Sequence, residues 1–130
     1  MKSQQQTINK IIELAKANDT VEVVWLYGSR ARGSAKESSD YDLAVAFKPY
    51  LKDPVKRRLR PEMLALEWRQ MLEIDLSILD INQVPIQLAY SVIQDNNLIY
   101  SSNDFRLMVE EQKIMSKWEI DHLYHRKHYA

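Results

Sequence analysis

The most informative stretch of the chain is LYGSRARGSAKESSDYDL, which spans residues 26–43. It contains both glycines of the sequence, Gly28 and Gly33, and it joins two apolar runs. The first run, residues 21–27, is rich in β-branched and aromatic side chains, and the second covers residues 40–47; both predict strands. A glycine–serine pair that leads from a strand into a short helix is typical of an anion site. A plain polar connection between two strands is equally consistent with these residues alone.

Two acidic residues, Asp40 and Asp42, stand at alternate positions where the second strand opens. Side chains two residues apart in a strand project from the same face. Two neighbouring carboxylates repel each other unless a cation lies between them, and Mg²⁺ is a hard cation that prefers oxygen ligands. The pair therefore predicts a magnesium site, and the alternative interpretation is a polar strand start after a turn at residues 38–40.

A third carboxylate, Asp75, falls early in a predicted third strand, residues 74–79. An acid among isoleucine and leucine in a strand is costly unless it is paired or binds a metal. Glu73 would share its face and is the competing candidate, whereas Asp80 at the strand's end is predicted to be a turn residue. Three carboxylates can hold two divalent ions about 4 Å apart, the arrangement used in phosphoryl transfer.

These residues carry a family resemblance. Gly28-Ser29, then ten residues, then Asp40-Tyr41-Asp42 resembles the GS-x10-DxD signature of the nucleotidyltransferase superfamily related to DNA polymerase β. The segments at residues 28–35 and 39–43 are more closely similar to the minimal nucleotidyltransferases (MNT proteins), which commonly accompany HEPN-domain ribonuclease toxins as the antitoxin. The resemblance covers about residues 8–100. It implies an α/β fold with a small mixed β-sheet flanked by helices.

The resemblance also implies roles for individual residues. Asp40 and Asp42 would bind the metal that carries the triphosphate, and would share a second Mg²⁺ with Asp75. Asp75 would help the attacking hydroxyl to lose its proton, either as a base or through its metal ion. Catalysis of this kind consists of positioning and electrostatic stabilisation, and needs no separate nucleophile.

The phosphates of the nucleotide would lie against the glycine–serine loop. By resemblance, Gly28 and Ser29 would hold the β- and γ-phosphates of ATP through their N–H groups and the serine hydroxyl. Arg30 and Arg32 lie close enough in sequence to serve as phosphate clamps or as contacts to a partner protein.

The acceptor implied by the resemblance is a tyrosine hydroxyl of a cognate HEPN toxin, which would be inactivated by transfer of AMP. Two alternatives remain open at this point. The same chemistry could act on a small-molecule hydroxyl or an RNA 3′ end, or the chain could neutralise its toxin by binding alone. Loss of transfer with persisting neutralisation in an Asp40→Ala/Asp42→Ala variant would favour binding.

Composition narrows the class of protein further. The chain has 130 residues, which suits one domain over residues 1–130, and equal numbers of basic and acidic residues give a formal net charge of zero. A neutral chain is not a general nucleic-acid coat, because that needs a broad positive field. The absence of cysteine excludes disulfides, zinc–thiolate sites and thiol catalysis. With no signal-peptide core and no long apolar window, the sequence predicts a cytoplasmic protein without membrane spans.

The rest of the chain predicts further helices and an edge strand near Leu98. Helices are predicted at residues 4–17 and 55–72, after Pro85, and at 104–127, with Asp104 as a cap of the last one. Pro61 is expected to kink or restart the second helix. Two apolar stripes are predicted: Leu64, Trp68, Met71 and Leu72 on the second helix, and Leu107, Met108, Ile114, Met115 and Trp118 on the last.

Two further features have an ordinary and a functional interpretation. The segment 48–60 carries six basic residues against Asp53, which indicates either a solvated face or a docking patch for an acidic partner or for RNA. His122, His125 and His128 recur every three residues, so they spiral around the helix and cannot converge well on one metal ion. We interpret them as cationic side chains near a helix C-terminus.

Overall fold

A computed structural model describes residues 3–129, with side chains as far as residue 124. Four strands form one mixed sheet in the order β3-β2-β1-β4. Strand β1 pairs antiparallel with β2 and with the edge strand β4, while β3 pairs parallel with β2. The strands are β1 (Val21–Tyr27), β2 (Tyr41–Phe47), β3 (Leu76–Asp80) and β4 (Leu98–Ser101). The predicted small mixed sheet is confirmed.

Five helices surround this sheet in the described part of the chain. They are α1 (Gln4–Lys16), α2 (Ser29–Arg32), α3 (Pro54–Leu72), α4 (Ile86–Asp95) and α5 (Asp104–Tyr129). The prediction of a long C-terminal helix is confirmed, although the helix runs two residues further than expected. Among the residues described, no helix combines the length and the apolar character that crossing a membrane requires.

Each face of the sheet carries its own hydrophobic core, because side chains alternate along every strand. Tyr41, Leu43 and Val45 of β2 pack with the buried residues of α1 and α3. Ala44 and Ala46 face the opposite way, toward α4 and α5. The alternation assigns odd-numbered residues of β2 to one face and even-numbered ones to the other.

Helix α3 is continuous over 19 residues with Pro61 inside it, so the expected restart at Pro61 is wrong. The alternative expectation of a kink there stays a prediction. Asp53 caps its N-terminus by accepting from the N–H groups of Val55 and Lys56. Met71 was predicted to share the buried face, but it is 59% exposed. Leu72 takes the buried position in this last turn, and adjacent helical residues point about 100° apart.

Helix α5 also differs from its predicted details. Its first turn is capped by Asn103 and not by Asp104, because the Asn103 side chain accepts from the N–H of Arg106 at 3.0 Å. Ile114 is buried as expected, whereas Met108 and Met115 are about half exposed. The helix therefore contacts its own domain along a narrower stripe than the sequence predicted.

Candidate functional site

The parallel pair β2–β3 builds one acidic face. Tyr41 pairs with Leu76 and Asp42 pairs with Ser77 in this register. Because Tyr41 and Leu76 are buried beneath α1 and α3, Asp42 and Ser77 point toward the opposite side of the sheet. The Ser77 hydroxyl donates to Asp42 Oδ1 at 2.9 Å and so orients that carboxylate.

Asp40 and Asp75 each lie one residue before their strand. The Tyr41 N–H donates to the Asp75 carbonyl at 3.0 Å, so the two strand entrances are joined directly. Both aspartates are exposed, and both stand two residues before the residues of the Asp42–Ser77 pair. The structure thus brings the predicted acids to the same end of two adjacent strands, where both strands begin.

The third strand begins at Leu76, two residues later than predicted. The reason is Glu73, which ends α3 in the left-handed conformation at φ 53° and makes the turn toward β3. Asp75 is therefore exposed in a connection, and the burial cost argued for it does not apply. Asp80 is only 4% exposed and accepts from the N–H of Asn82, which confirms it as a turn residue.

The glycine–serine loop packs directly against the acidic face. Gly28 has φ 77°, and a Cβ placed on it would lie 2.6 Å from Asp42 Oδ2. Only glycine allows this approach, both for space and for backbone conformation. Gly33 also has a positive φ, 76°, but a Cβ there would meet nothing within 4 Å. Its requirement is conformational alone.

The Gly28 N–H is already engaged within the chain. It donates to Asp95 Oδ2 at 2.9 Å, at the end of α4, and Asp95 is also 3.7 Å from Arg32. This N–H is therefore directed at a side chain, whereas the sequence suggested that it would face a phosphate. Ser29 and Arg30 follow as the first residues of α2, where the leading N–H groups have no partner in their own helix.

Sequence reasoning did not place Asp95 beside the glycine–serine loop. It lies 67 residues from Gly28, and no periodic or spaced pattern links the two positions. Ser77, by contrast, could have been found from the sequence, because it stands two residues after Asp75 on a strand.

The two arginines of the loop have different surroundings. Arg30 lies 4.0 Å from the centroid of the Tyr41 ring, on the face opposite to Asp42. Its guanidinium donates to the carbonyls of Glu37 and Ser39 at 3.0 and 2.8 Å. The structure therefore does not place Arg30 with the aspartates as a phosphate clamp. Arg30 instead holds the connection that leads into Asp40.

Arg32 fits the suggested role better. Its side chain is 60% exposed and lies beside Asp95, next to the Gly28 backbone. The guanidinium is therefore available at the loop while being loosely held by a carboxylate.

Tyr27 closes the other side of the acidic face. It pairs across the strands with Asp42. Burial of the phenol, with a further contribution from the Asp42 charge, raises the pKa of Tyr27 to about 12. The phenol is consequently neutral at physiological pH and keeps a proton to donate.

The aspartates are suited to a metal ion by their oxygen donors and by the lack of a basic partner among the described side chains. Within the described side chains, Asp40, Asp42 and Asp75 form no ion pair with a basic residue. Their hard oxygen ligands match Mg²⁺. No group of three histidine, cysteine or acidic side chains among the described residues is gathered closely enough to hold a metal by itself. The three aspartates therefore fit Mg²⁺ in the type of their donor atoms and in their position at the start of two adjacent strands.

Two other predicted features lie away from this site. The basic segment 48–60 begins after the end of β2, whereas Asp40 precedes the start of that strand, so about 23 Å of strand separates Asp40 from the beginning of the segment. The role of that segment stays a prediction. His122 stacks on Trp118 with ring centroids 4.8 Å apart, while the side chains of His125 and His128 lie outside the described residues.

Comparison with known protein families shows which family this chain belongs to. The model of a family described as polymerase beta, nucleotidyltransferase matches residues 9–105, which include the loop and all three aspartates. The chain belongs to this nucleotidyltransferase family. No curated protein matches it significantly.

Solved structures share the fold of this nucleotidyltransferase. One is a chain of a toxin–antitoxin complex with AMP-PNP, with a TM-score of 0.73 and 20% identity over 92% of this chain and 93% of that one. Another is a chain of the MntA–HepT toxin–antitoxin complex, with a TM-score of 0.71 and 20% identity over 95% and 94%. A third comes from a complex of tri-AMPylated Shewanella oneidensis HEPN toxin with MNT antitoxin, with a TM-score of 0.70 and 19% identity over 96% and 94%.

Proposed function

We propose that this chain is an antitoxin nucleotidyltransferase that transfers AMP from ATP to a tyrosine hydroxyl of a HEPN ribonuclease toxin in the cytoplasm, and thereby inactivates it. The observation that carries the proposal is the packing of Gly28 against Asp42, because it joins a loop suited to phosphates with an acidic strand. The similar folds support the partner and the donor, since one complex contains an AMPylated HEPN toxin and another contains AMP-PNP.

Asp40, Asp42 and Asp75 would hold two Mg²⁺ ions. When bound, the metal ions neutralise the triphosphate and the charge that develops during transfer. Asp42 is preset for this task, because Ser77 occupies Oδ1 while Oδ2 faces the loop at Gly28.

The other groups of the chain orient the nucleotide and the acceptor. The hydroxyl of Ser29 and the leading N–H groups of α2 bind the β- and γ-phosphates, and Arg32 adds a positive charge beside them. Asp75, exposed at the strand entrance, receives the proton of the tyrosine hydroxyl. The new bond joins the tyrosine oxygen to the α-phosphorus of ATP, and the bond to pyrophosphate breaks.

The test is an intact-mass spectrum of the HEPN protein encoded next to this chain, incubated with the chain, ATP and Mg²⁺. We expect a mass gain of one or more AMP units. The Asp40→Ala/Asp42→Ala variant should give no gain, whereas Asp19→Ala, which removes an exposed acid elsewhere, should leave the gain unchanged.

The other outcomes assign the alternatives. A stable complex without mass gain would contradict the transfer and favour neutralisation by binding. The absence of both gain and complex would overturn the partner, and would direct the search to small-molecule or RNA acceptors.

A further inference from the structure

Helix α3 is apolar on two opposite sides. Its inner side is buried against the sheet and α1 through Leu64, Ala65, Trp68 and Leu72. A second apolar row stands on the outside, and we call it the outer α3 stripe. It consists of Val55, Leu59, Met63 and Leu66, which are 55%, 44%, 67% and 52% exposed.

The outer α3 stripe is a continuous surface. At 100° per residue its four side chains fall within an arc of about 80°, and they extend over about 17 Å of helix. A row of four large apolar side chains, each near half exposure, is more than scattered surface residues and indicates a contact surface.

We infer that the outer α3 stripe binds the same stripe of a second copy of this chain, with the two helices antiparallel. Along the helix, the stripe is nearly symmetric about the level of Pro61. A two-fold axis at this level, on the outer side of the helix, places Val55 opposite Leu66 of the second copy. The same axis places Leu59 opposite Met63. An isologous interface needs this self-complementarity.

The charges beside the stripe follow the same symmetry. On one flank lie Lys56 and Glu67, about 20° apart around the helix, and on the other lie Arg58 and Glu62, about 40° apart. The midpoint of each pair of charged residues lies within about one residue of Pro61 along the helix. When two helices pack antiparallel about a two-fold axis, each flank of one helix lies beside the same flank of the other. Lys56 therefore faces Glu67 of the second copy, and Arg58 faces Glu62.

None of these four charged side chains forms an ion pair with another described side chain of its own copy. Four intermolecular pairs of opposite charge thus form around the two-fold axis. A parallel arrangement would place like charges together, and the pattern selects against it.

This surface is independent of the proposed transferase site. Helix α3 covers the Tyr41 face of the sheet, whereas Asp42 points to the other face. A dimer built through α3 leaves both acidic faces open for partner proteins. One helix pair buries less than the roughly 800 Å² per partner of a standard interface, so we expect a dissociation constant in the micromolar range.

The test is sedimentation equilibrium of the full chain alone, across the micromolar range. We expect a concentration-dependent dimer. Leu59→Glu should give a monomer throughout, because it buries a charge in the stripe. Phe105→Glu, which places the same charge on a residue of α5 that is 70% exposed, should leave the dimer intact. Circular dichroism establishes that each variant is folded.

Charge reversal tests the antiparallel register. Lys56→Glu should weaken the dimer about tenfold, since two attractive pairs become repulsive. Adding Glu67→Lys in the same chain should restore the dissociation constant to within about twofold. A monomeric wild-type chain, or a double variant no stronger than Lys56→Glu, would overturn the proposal. If the wild-type chain is monomeric and Leu59→Glu loses binding to the HEPN protein, the outer α3 stripe belongs to the interface with that protein.

Discussion

The α-carbon of Gly28 lies against the carboxylate of Asp42, so closely that a methyl group on Gly28 would stand 2.6 Å from Oδ2. Gly28 directly follows β1 and Asp42 lies in β2, and their contact fixes the glycine–serine loop against the acidic face. Any side chain at Gly28 must displace the carboxylate or the loop.

We predict that Gly28→Ala lowers the rate of AMP transfer at least a hundredfold, since the new methyl group displaces Asp42. Gly33→Ala is the matched control, because Gly33 has nearly the same φ but open space around it. Gly33→Ala should lose about 1 kcal/mol of unfolding free energy, because Gly33 is in the left-handed region at ψ 13°. Gly28→Ala should lose more, because ψ is −155° there and the new methyl group meets Asp42. Denaturant titration and single-turnover transfer assays measure the two effects. Equal losses of transfer would show that the contact with Asp42 is unimportant.

Arg30 is expected to act on the site from the opposite face. Its planar guanidinium binds two carbonyls of the connection and stacks on Tyr41, which a lysine ammonium cannot reproduce. We predict that Arg30→Lys lowers transfer at least tenfold and raises the Mg²⁺ concentration needed for half-maximal rate. The KM for ATP should change little.

The control for this prediction is Arg32→Lys, which retains a cation at the exposed edge of the loop. It should alter the KM for ATP without altering the Mg²⁺ requirement. If Arg30→Lys instead raised only the KM for ATP, Arg30 would be a phosphate ligand after all.

Helix α5 is anchored by a buried charge network around Arg106. Its guanidinium donates to Glu22 Oε1 and to Glu110 Oε1, both at 2.9 Å, and these two carboxylates are 7% and 3% exposed. We predict that Arg106→Met lowers the free energy of unfolding by about 3 kcal/mol, because it removes the guanidinium that pairs with both buried carboxylates. Lys113→Met, which removes a 55% exposed partner of Glu110, should cost under about 1 kcal/mol.

The Arg106 effect should depend on pH. Burial raises the pKa of Glu22, but hydrogen bonds from Asn103 and Arg106 outweigh it and hold the pKa below its ordinary value of 4.5. A depressed pKa stabilises the fold above the ordinary value, and this contribution is lost as the pH falls. The difference between wild type and Arg106→Met in urea unfolding should therefore narrow below pH 4.5. A constant difference would indicate that packing alone is lost.

Tyr27 predicts a second pH dependence, at the alkaline end. Its pKa is about 12 in the folded chain against an ordinary value of 10.0. The folded state thus holds a proton that the unfolded state loses, and stability declines between pH 10 and pH 12. Tyr27→Phe should remove this part of the decline in denaturant titrations. Asp42→Asn should keep most of it, since burial is the larger cause of the shift. An unchanged pH slope in Tyr27→Phe would contradict the assignment.

The sequence predicted the strands, the loop and the acidic positions because they follow from local periodicity and from a short spaced motif. Asp42 needed only strand alternation, because it lies within β2. The role of Asp95 could not be predicted, since it depends on the packing of α4 against a loop 67 residues away. The position of Arg30 could not be predicted for a related reason. Its place in the motif suggested the phosphate side, whereas stacking on Tyr41 directs it to the other face.

Ser77 gives the most selective test of how the acidic face is oriented. Its hydroxyl donates to Asp42 Oδ1 at 2.9 Å and has no other role in the mechanism proposed for the site. Ser77→Ala should lower AMP transfer about three- to tenfold, because Asp42 loses one fixed oxygen but keeps its charge. Ser77→Thr retains the hydroxyl in a strand that favours β-branched residues, and should recover most of the rate. The rate of AMP transfer is measured for both variants and for the wild type. Equal rates in Ser77→Ala and wild type would show that Gly28 alone orients Asp42.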